Sequence, residues 1–213
     1  FAFALWDRSE RSLVLARDRV GKKPLYFGWS GAAFLFGSEL KALCAHPDFD
    51  RAISRDALGQ YVRFGWVPEP WSIFASVRKL GPGHLIRVTP GSPAWSAQPE
   101  CYWSARQVCE RASRNPFAGS YPQAVDRLDA LLAQAVGERM VADVDLGALL
   151  SGGVDSTTVV ALMQRLSDRP VKTFSIGFSE EKFNEAGYAA AVAAHLGTDH
   201  HELYVSPRQC LDV

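Results

Sequence analysis

The sequence predicts an α+β region followed by an α/β region with a parallel sheet. Three observations lead to this division. The N-terminal half alternates short aromatic and aliphatic runs with turn-forming residues. Residues 89–120 are rich in Pro, Gly and Ser. Beyond them, strand-like runs alternate with segments of helical spacing, which is typical of parallel βαβ units.

The first region has the pattern of an antiparallel meander. Turn-forming residues separate four strand-like runs, at residues 1–6, 13–17, 25–29 and 33–37. Helices are predicted at 39–45 behind Ser38 and at 55–63 behind Ser54, because serine is a good N-cap residue. A further strand is predicted at 85–88.

The second region begins with a helix signal. Ser120 and Gln123 form the capping-box pattern S-x-x-Q, and apolar residues then recur at helical spacing. Strands are predicted at 146–150, 171–178 and 201–205, and helices at 157–166 and 186–196. We place the domain boundary near Asn115 and divide the chain into residues 1–104, a linker at 105–119, and residues 120–213.

Composition excludes several classes of protein. The 213 residues are 47% hydrophobic and carry a formal net charge of zero, so non-specific binding to nucleic acid or anionic lipid is not expected. No apolar run reaches membrane-spanning length, and no signal-peptide pattern occurs. The four cysteines lack C-x-x-C spacing, which suits reduced thiols in the cytoplasm. We expect Cys44 and Cys101 to be buried small hydrophobes.

The loop SGGVDS, which starts at Ser151, stands between a predicted strand and a predicted helix. Parallel sheets bind ligands at such places. Gly152 and Gly153 let a ligand approach the main chain, and successive N–H groups ahead of a helix attract an anion. Ser156 adds a second hydroxyl to that of Ser151. Asp155 suits backbone donors or a Mg²⁺ ion that neutralises phosphates.

Residue chemistry alone leaves two interpretations of this loop open. One is a glycine turn in which Asp155 or Ser156 caps the next helix. The other is a cradle for a phosphate-bearing ligand. The lysine of the G-x-x-x-x-G-K-[ST] phosphate loop is absent, so the loop is not of the usual kinase type.

Longer motifs carry a resemblance. SGGVDS resembles the pyrophosphate-binding loop of the N-type ATP pyrophosphatases. KTFSIGF at 172–178 resembles the next strand of that family, whose main chain contacts adenine. FNEAGYAAAVAAHLGTDHHE at 183–202 is similar to the following helix and strand in one branch, the glutamine-dependent asparagine synthetases. RDRVGKKPLYFG at 17–28, FGSELKAL at 36–43 and VRKLGPGHLIRV at 77–88 resemble the glutaminase domain of the same family. The resemblance covers nearly the whole chain.

The resemblance implies a fold and a reaction. The fold is an incomplete αββα Ntn-hydrolase-like domain followed by an incomplete parallel-sheet ATP pyrophosphatase domain. In the implied reaction a terminal cysteine releases ammonia from glutamine, while ATP and Mg²⁺ adenylate the β-carboxylate of aspartate. Ammonia then displaces AMP and gives asparagine. The implied partners are small molecules, with no nucleic acid and no membrane, and a homodimer stays open.

The resemblance also implies site residues, by matching position. The pyrophosphate portion of ATP would be held by Ser151, Gly152, Gly153, Asp155 and Ser156. Leu150 and Ile176 would flank the adenine, and Gly177 would keep the strand end open. No cysteine here matches the glutaminase nucleophile, so we expect no catalytic residue within the chain. The matched positions name no protein metal ligand, although Asp155 could approach a Mg²⁺ ion bound to the phosphates. Asp145 stands where relatives commonly carry proline, and no loss of ATP binding is expected from it.

The ends of the sequence and the alternatives complete the expectations. The chain opens FAFALWD without an initiator methionine and closes at LDV, so we expect an internal fragment, inactive alone, of an enzyme. The alternatives are a related ATP-dependent amidotransferase, a β-lactam synthetase-like enzyme with another acceptor, or a non-catalytic ATP-binding module.

Three other groups of residues have structural interpretations. The charged cluster at 17–23 is expected to be a solvated turn or a buried ion pair rather than a phosphate site. The histidines near Glu202 lack the spacing of metal ligands, because adjacent strand residues point to opposite faces. The aromatic residues Trp66, Trp71, Phe74 and Trp95 are expected to pack between domains.

Overall fold

The computed structural model describes residues 1–91, 97–178, 180, 182, 184–206 and 208–209. Trp95, Phe183 and Cys210 therefore lie outside the described residues. The chain divides into two compact units, Phe1–Pro116 and Phe117–Val213. No helix in the described ranges combines the length and the apolar character needed to cross a membrane.

The strands of the first unit form two antiparallel sheets. They are β1 (Ala2–Asp7), β2 (Ser12–Arg17), β3 (Tyr26–Ser30), β4 (Ala33–Gly37), β5 (Val77–Lys79), β6 (His84–Val88) and β7 (Glu100–Cys101). One sheet has the order β1-β2-β6-β7 and the other the order β4-β3-β5. The buried side chains of Leu15, Leu25, Phe27, Leu80 and Ile86 form the main core of this unit.

The predicted meander of four strands is wrong in its pairing. The hairpins β1-β2 and β3-β4 both form, but they belong to different sheets. Strand β2 pairs on its other side with β6, with Leu15 opposite Ile86. Strand β3 pairs with β5, which the sequence did not predict. Each partner comes from more than forty residues along the chain, so no local turn signal could reveal it.

The helices of the first unit are α1 (Leu40–Cys44), α2 (Arg55–Phe64) and α3 (Ala105–Arg114). The predicted cap of α2 is confirmed, because the Ala57 amide donates to the Ser54 hydroxyl at 3.2 Å. Helix α1 instead begins behind Glu39. Helix α3 lies inside the segment predicted as a linker, with Ser104 accepting from the Gln107 amide. The cap at Ser104 therefore starts a helix in a segment whose composition had predicted a linker.

The charged cluster at 17–23 contains a buried arginine. The Arg17 guanidinium donates to the carbonyl oxygens of Leu80 at 2.7 Å, Lys23 at 2.8 Å and Gly21 at 2.9 Å. It also forms a 3.1 Å ion pair with Glu69. The expectation of a buried ion pair is thereby confirmed for Arg17.

Asp18, the neighbour of Arg17, is also buried and organises the turn that follows. Burial alone would raise the pKa of its carboxyl group. Hydrogen bonds from the amides of Lys23 at 3.0 Å and Lys22 at 2.9 Å outweigh burial and hold the pKa far below its usual range.

The side chain of Cys101 is exposed, so its prediction as a buried hydrophobe is wrong. Cys101 lies on β7, a short strand at the edge of its sheet.

The second unit has a parallel sheet. Its elements are α4 (Tyr121–Gly137), β8 (Gly147–Leu149), α5 (Val154–Arg165), β9 (Lys172–Phe178), α6 (Ala186–Leu196) and β10 (Asp199–Val205). The strands lie in the order β10-β9-β8, and both pairs are parallel. The predicted helix behind Ser120 is confirmed, and the Ser120 amide donates to Gln123 Oε1 at 2.8 Å.

The two faces of this sheet differ in burial. On one face, Leu150, Val160, Ala189 and Ala193 form a buried core between the sheet and the helices α5 and α6. Small alanines let α6 approach the sheet closely. On the other face, the apolar side chains of Leu149, Phe174, Ile176 and Leu203 are exposed.

Helix α5 begins three residues earlier than the sequence predicted. Its N-cap is Gly153, with no side-chain hydrogen bond to the cap position. Asp155 and Ser156 therefore lie within the first turn of the helix. Their polar character suggested a loop, but the Thr157 amide already donates to the Gly153 carbonyl at 3.0 Å.

Candidate functional site

The SGGVDS loop follows the carboxyl end of β8 and leads into α5. Its starting point is fixed by the neighbouring strand. The Leu150 amide donates to the Phe174 carbonyl at 2.9 Å, and the Leu150 carbonyl accepts from the Ser175 hydroxyl at 2.6 Å. Leu150 is itself buried. The loop thus leaves the sheet at Leu150, whose backbone amide and carbonyl are both hydrogen-bonded to β9.

Hydroxyl groups join the two ends of the loop. Ser151 Oγ and Ser156 Oγ lie 2.9 Å apart, and the Ser151 amide donates to Ser156 Oγ at 3.3 Å. Ser156 Oγ also donates to the Gly153 carbonyl at 3.3 Å. These contacts close the loop into a compact turn whose hydroxyls gather on one side.

Gly152 occupies a position that other residues cannot take without strain. Its φ is +78°, in the left-handed region. A Cβ atom here would lie 2.7 Å from the backbone carbon of Tyr188 and 2.8 Å from the amide nitrogen of Ala189. The loop therefore packs directly against the backbone of α6, and only glycine fits at this point.

The first turn of α5 presents free backbone amides beside the loop. A helix leaves its first N–H groups without intrahelical partners, and the helix dipole makes this end positive. Gly153 offers no capping side chain. The Asp155 carboxylate in this turn is exposed and has no side-chain partner among the described residues. The arrangement can attract an anion, and the free carboxylate can take a cation alongside it.

A cleft of about 350 Å³ opens beside the loop. It brings together four of the predicted site residues, Leu150, Ser151, Ser156 and Ile176. The other predicted residues do not line it. Gly152, Gly153 and Asp155 lie on the loop next to it, and Gly177 is buried under the ring of Tyr204, 2.6 Å from where a Cβ would stand.

The cleft has further walls that the sequence did not predict. They are Leu149, Phe174, Ser175, Glu185 and Ala186. Strand alternation could have indicated Phe174, because it lies on the same face of β9 as Ile176. Glu185 belongs to the start of α6, about thirty residues after the loop, and only the tertiary fold brings it to the cleft.

A hydroxyl without a partner among the described residues occurs on α5, on the residue that follows Ser156. Thr157 Oγ1 is buried and forms no hydrogen bond within the described part of the chain. Most buried polar atoms in native proteins have a partner, so such an atom calls for an explanation. Thr157 was not predicted as a site residue.

The histidines near Glu202 divide between the two faces of β10, as predicted. His200 Nε2 lies 3.8 Å from Glu202 Oε1, while His201 stacks on Phe174 of the opposite face. Within the described residues, no group of three or more His, Cys, Asp and Glu side chains could hold a metal ion. Asp145, at the other end of β8, forms a 2.6 Å ion pair with Lys172.

Comparison with known families assigns both regions. Residues 1–103 match the family model of the glutamine amidotransferase domain, and residues 127–213 match that of asparagine synthase. The match to asparagine synthase covers 87 of the 213 residues, and the match to the amidotransferase domain covers 103. The amidotransferase match lies ahead of the synthase match, and the SGGVDS loop falls within the latter.

Curated relatives agree with this assignment over the whole chain. A putative glutamine-hydrolysing asparagine synthetase of Methanocaldococcus jannaschii is 34% identical over 98% of this chain. A putative one of Mycobacterium tuberculosis is 37% identical over 97%, and asparagine synthetase 1 of Bacillus subtilis is 31% identical over 100%. The chain spans 39%, 31% and 32%, respectively, of the lengths of these relatives.

Proposed function

We propose that this chain is part of a glutamine-hydrolysing asparagine synthetase. In the proposed reaction, ATP adenylates the β-carboxylate of aspartate and releases pyrophosphate. Ammonia taken from glutamine then displaces AMP and gives asparagine, with glutamate as the second product. A carboxylate is a poor electrophile, and its conversion to an acyl adenylate supplies a good leaving group. The observation that carries the proposal is the SGGVDS loop at the carboxyl end of a parallel strand, in a region that matches the asparagine synthase model.

The loop fits the pyrophosphate portion of ATP. Gly152 and Gly153 leave the backbone open to a ligand, and the amides of the first turn of α5 supply donors for its oxygens. The hydroxyls of Ser151 and Ser156 lie beside these amides, and each could turn its proton from its present intramolecular acceptor to a phosphate oxygen.

The cleft beside the loop fits the adenosine portion. Ile176 contributes exposed apolar surface to it, and Leu150 borders it although its side chain is buried in the core on the opposite face of the sheet. We place the adenine against Ile176, with Leu150 at the edge of its site and the strand end at Gly177 nearby. Its volume of about 350 Å³ lies within the usual range of small-molecule sites.

We assign Asp155 to a Mg²⁺ ion that neutralises the phosphates. Its carboxylate would otherwise repel the ligand that the helix end attracts. Because it is exposed and unpaired within the described residues, it is free to coordinate a cation. Magnesium would supply charge neutralisation at the pyrophosphate leaving group.

The proposal extends to the fold and setting of the protein. We infer that residues 1–104 belong to an αββα Ntn-hydrolase-like glutaminase domain, residues 105–119 to a linker, and residues 120–213 to an ATP pyrophosphatase domain. None of Cys44, Cys101 and Cys109 is given a catalytic role. The setting proposed is the cytoplasm, with small-molecule substrates, and sedimentation of the full-length protein would decide whether it forms a homodimer.

The two other enzymes considered, an amidotransferase or a β-lactam synthetase-like protein with a different acceptor, share the proposed ATP chemistry. The names of the relatives favour aspartate as the acceptor. The non-catalytic module is disfavoured by the same names, since all are described as synthetases.

The test is the change Asp155→Ala in the full-length protein. Aspartate-dependent release of AMP and pyrophosphate should fall by at least about a hundredfold, as for removal of an electrostatic group at a transferring phosphate. Glutamine hydrolysis should continue, because it belongs to the other region. The matched control is Asp168→Ala, which removes an exposed carboxylate beyond the far end of α5. Release at the wild-type rate in the Asp155 variant would contradict the proposal.

A further inference from the structure

A row of polar side chains lies on the face of the second unit's sheet that is opposite Phe174 and Ile176. Thr173 and Ser175, on β9, are almost fully buried and face the same side. Register places them opposite His200 and Glu202 of β10. Thr173 Oγ1 lies 2.9 Å from both Thr198 Oγ1 and His200 Nδ1, and Ser175 Oγ lies 3.4 Å from His200 Nε2.

The donors and acceptors of this row can be assigned in sequence. Ser175 has one hydroxyl proton, which it donates to the Leu150 carbonyl at 2.6 Å. Towards His200 it can therefore only accept, so His200 carries its proton on Nε2 when neutral. His200 Nδ1 then accepts from the Thr173 hydroxyl, which in turn accepts from Thr198. Each proton of the row thus has one assigned acceptor, and Thr173 can donate to His200 whether or not Thr198 donates to it.

The row ends at the first residue before the SGGVDS loop. Leu150 is buried, and its carbonyl accepts from the Ser175 hydroxyl over the shortest distance in the row. The peptide that carries this carbonyl also carries the Ser151 amide, which donates to Ser156 Oγ. A rotation of that peptide would disturb the contact between the two loop hydroxyls. Ser175 thus holds the peptide group that leads from Leu150 into the loop.

The row also extends away from the loop. His200 Nε2 lies 3.8 Å from Glu202 Oε1, and the Tyr204 hydroxyl donates to Glu202 Oε2 at 2.9 Å. The hydrogen bond with Glu202 raises the pKa of Tyr204. Strand β10 therefore supports Ser175 through His200, although no residue of β10 lines the cleft described beside the loop.

We propose that Ser175, oriented by His200, is a positioning residue that holds the SGGVDS loop in the conformation that binds ATP. The inference rests on the proposed function, because it names what fixes the loop to which that function assigns pyrophosphate. Neither side chain is required to touch the phosphates. Ser175 acts through the Leu150 carbonyl, and His200 acts through Ser175.

The first test separates positioning from stability. In the full-length protein, Ser175→Ala should weaken ATP binding about tenfold, as expected for one lost buried hydrogen bond. Thr198→Val is the matched control, since it removes a hydroxyl from the same row at the end away from the loop. It should leave the dissociation constant of ATP within about twofold of the wild type. Calorimetry with ATP measures both, and urea unfolding shows how much stability each variant loses.

The second test uses the two nitrogens of His200. Glutamine places an amide N–H near the position of Nε2, whereas asparagine reaches only the position of Nδ1. His200→Gln should therefore retain ATP binding, and His200→Asn should weaken it about threefold to tenfold. His195→Asn, at an exposed position on α6, is the control for the same chemical change.

A double-variant cycle decides whether His200 acts through Ser175. Once Ser175→Ala is present, adding His200→Asn should cause no further loss of ATP affinity. Nitrogen NMR of the wild type should show His200 protonated on Nε2 and not on Nδ1. Independent, additive losses, or a proton on Nδ1 alone, would overturn the inference while leaving the proposed function intact. Failure of the wild type to bind ATP would overturn the proposed function, and the inference with it.

Discussion

The hydroxyl groups of Ser151 and Ser156 lie 2.9 Å apart, across the two glycines of the SGGVDS loop. This contact joins the end of a parallel strand to the first turn of α5. It also places both hydroxyl groups beside the cleft that Leu150 and Ile176 border. The pair therefore closes the loop at the edge of the cleft.

The change Ser156→Ala should separate ligand binding from folding. It removes the partner of both the Ser151 hydroxyl and the Ser151 amide. We expect ATP binding by the full-length protein to weaken about tenfold, measured by calorimetry. Thr158→Ala is the control, since the Thr158 hydroxyl only bonds back to the Val154 carbonyl within the helix. An equal loss of affinity in both variants would contradict a specific role for Ser156.

The change Gly152→Ala should destabilise the second unit strongly. An alanine here would have to adopt a left-handed φ and place its Cβ within 2.8 Å of the α6 backbone. We expect the free energy of unfolding to fall by about 3 kcal/mol, the sum of a left-handed conformation and overpacking. Urea unfolding followed by far-ultraviolet circular dichroism measures it.

Gly197→Ala is the matched control for that clash. Gly197 has a φ of +70°, but nothing lies within 4 Å of its Cβ position. The expected loss is about 1 kcal/mol, due to backbone conformation alone. If both glycine variants lost the same stability, the close approach of the loop to α6 would carry no energetic weight.

The change Arg17→Lys should destabilise the first unit even though the charge is kept. Lysine cannot reach the carbonyls of Leu80, Lys23 and Gly21 together, so buried acceptors lose their donors. The expected loss is about 2–3 kcal/mol. All six tryptophans of the chain precede residue 117, so tryptophan fluorescence during urea unfolding reports on this unit. Arg19→Lys, at an exposed neighbouring position, should cost less than about 0.5 kcal/mol.

Asp18 should make the stability of the first unit depend on pH in acid. Burial would raise its pKa, but hydrogen bonds from the amides of Lys23 and Lys22 lower it far below the unfolded value. A group with a depressed folded pKa stabilises the fold above its unfolded pKa of about 4, and this contribution is lost as pH falls below that value. Asp18→Asn should therefore lower stability at pH 7.

The pH series provides the check on Asp18. The difference in unfolding free energy between the wild type and Asp18→Asn should be constant from pH 7 to about 5 and should shrink below about 4. Fluorescence-monitored urea unfolding at each pH measures it. If the difference stayed constant down to pH 3, the contribution of Asp18 to stability would come from its packing and hydrogen-bond geometry and not from its negative charge.

Local signals in the sequence predicted those parts of the fold that neighbouring residues decide. Ser120 and Gln123 predicted the start of α4, and Ser54 predicted the cap of α2, because each cap is formed within one helical turn. The same reasoning failed at α5, where glycine rather than a polar side chain occupies the N-cap. It also missed α3, since the composition of its surroundings concealed the cap at Ser104.

Part of the candidate site could be predicted for the same reason. Ser151 and Ser156 belong to one short loop, and the glycines between them indicate its conformation. Ser175 and Glu185 could not be found in this way. Their place at the cleft depends on the pairing of β8 with β9 and on the packing of α6, and no spacing within either segment records these contacts.

The sequence by itself determined the positions of most helices and strands, the division into two regions, and the loop whose chemistry suits a phosphate. The tertiary structure alone decided that β2 pairs with β6, that Gly152 lies against the backbone of Tyr188, and that Ser175 holds the Leu150 carbonyl. The physical reason is the range of the interactions. Caps and turns form between residues a few positions apart, whereas strand pairing, close packing and buried hydrogen bonds join residues that only the folded chain brings together.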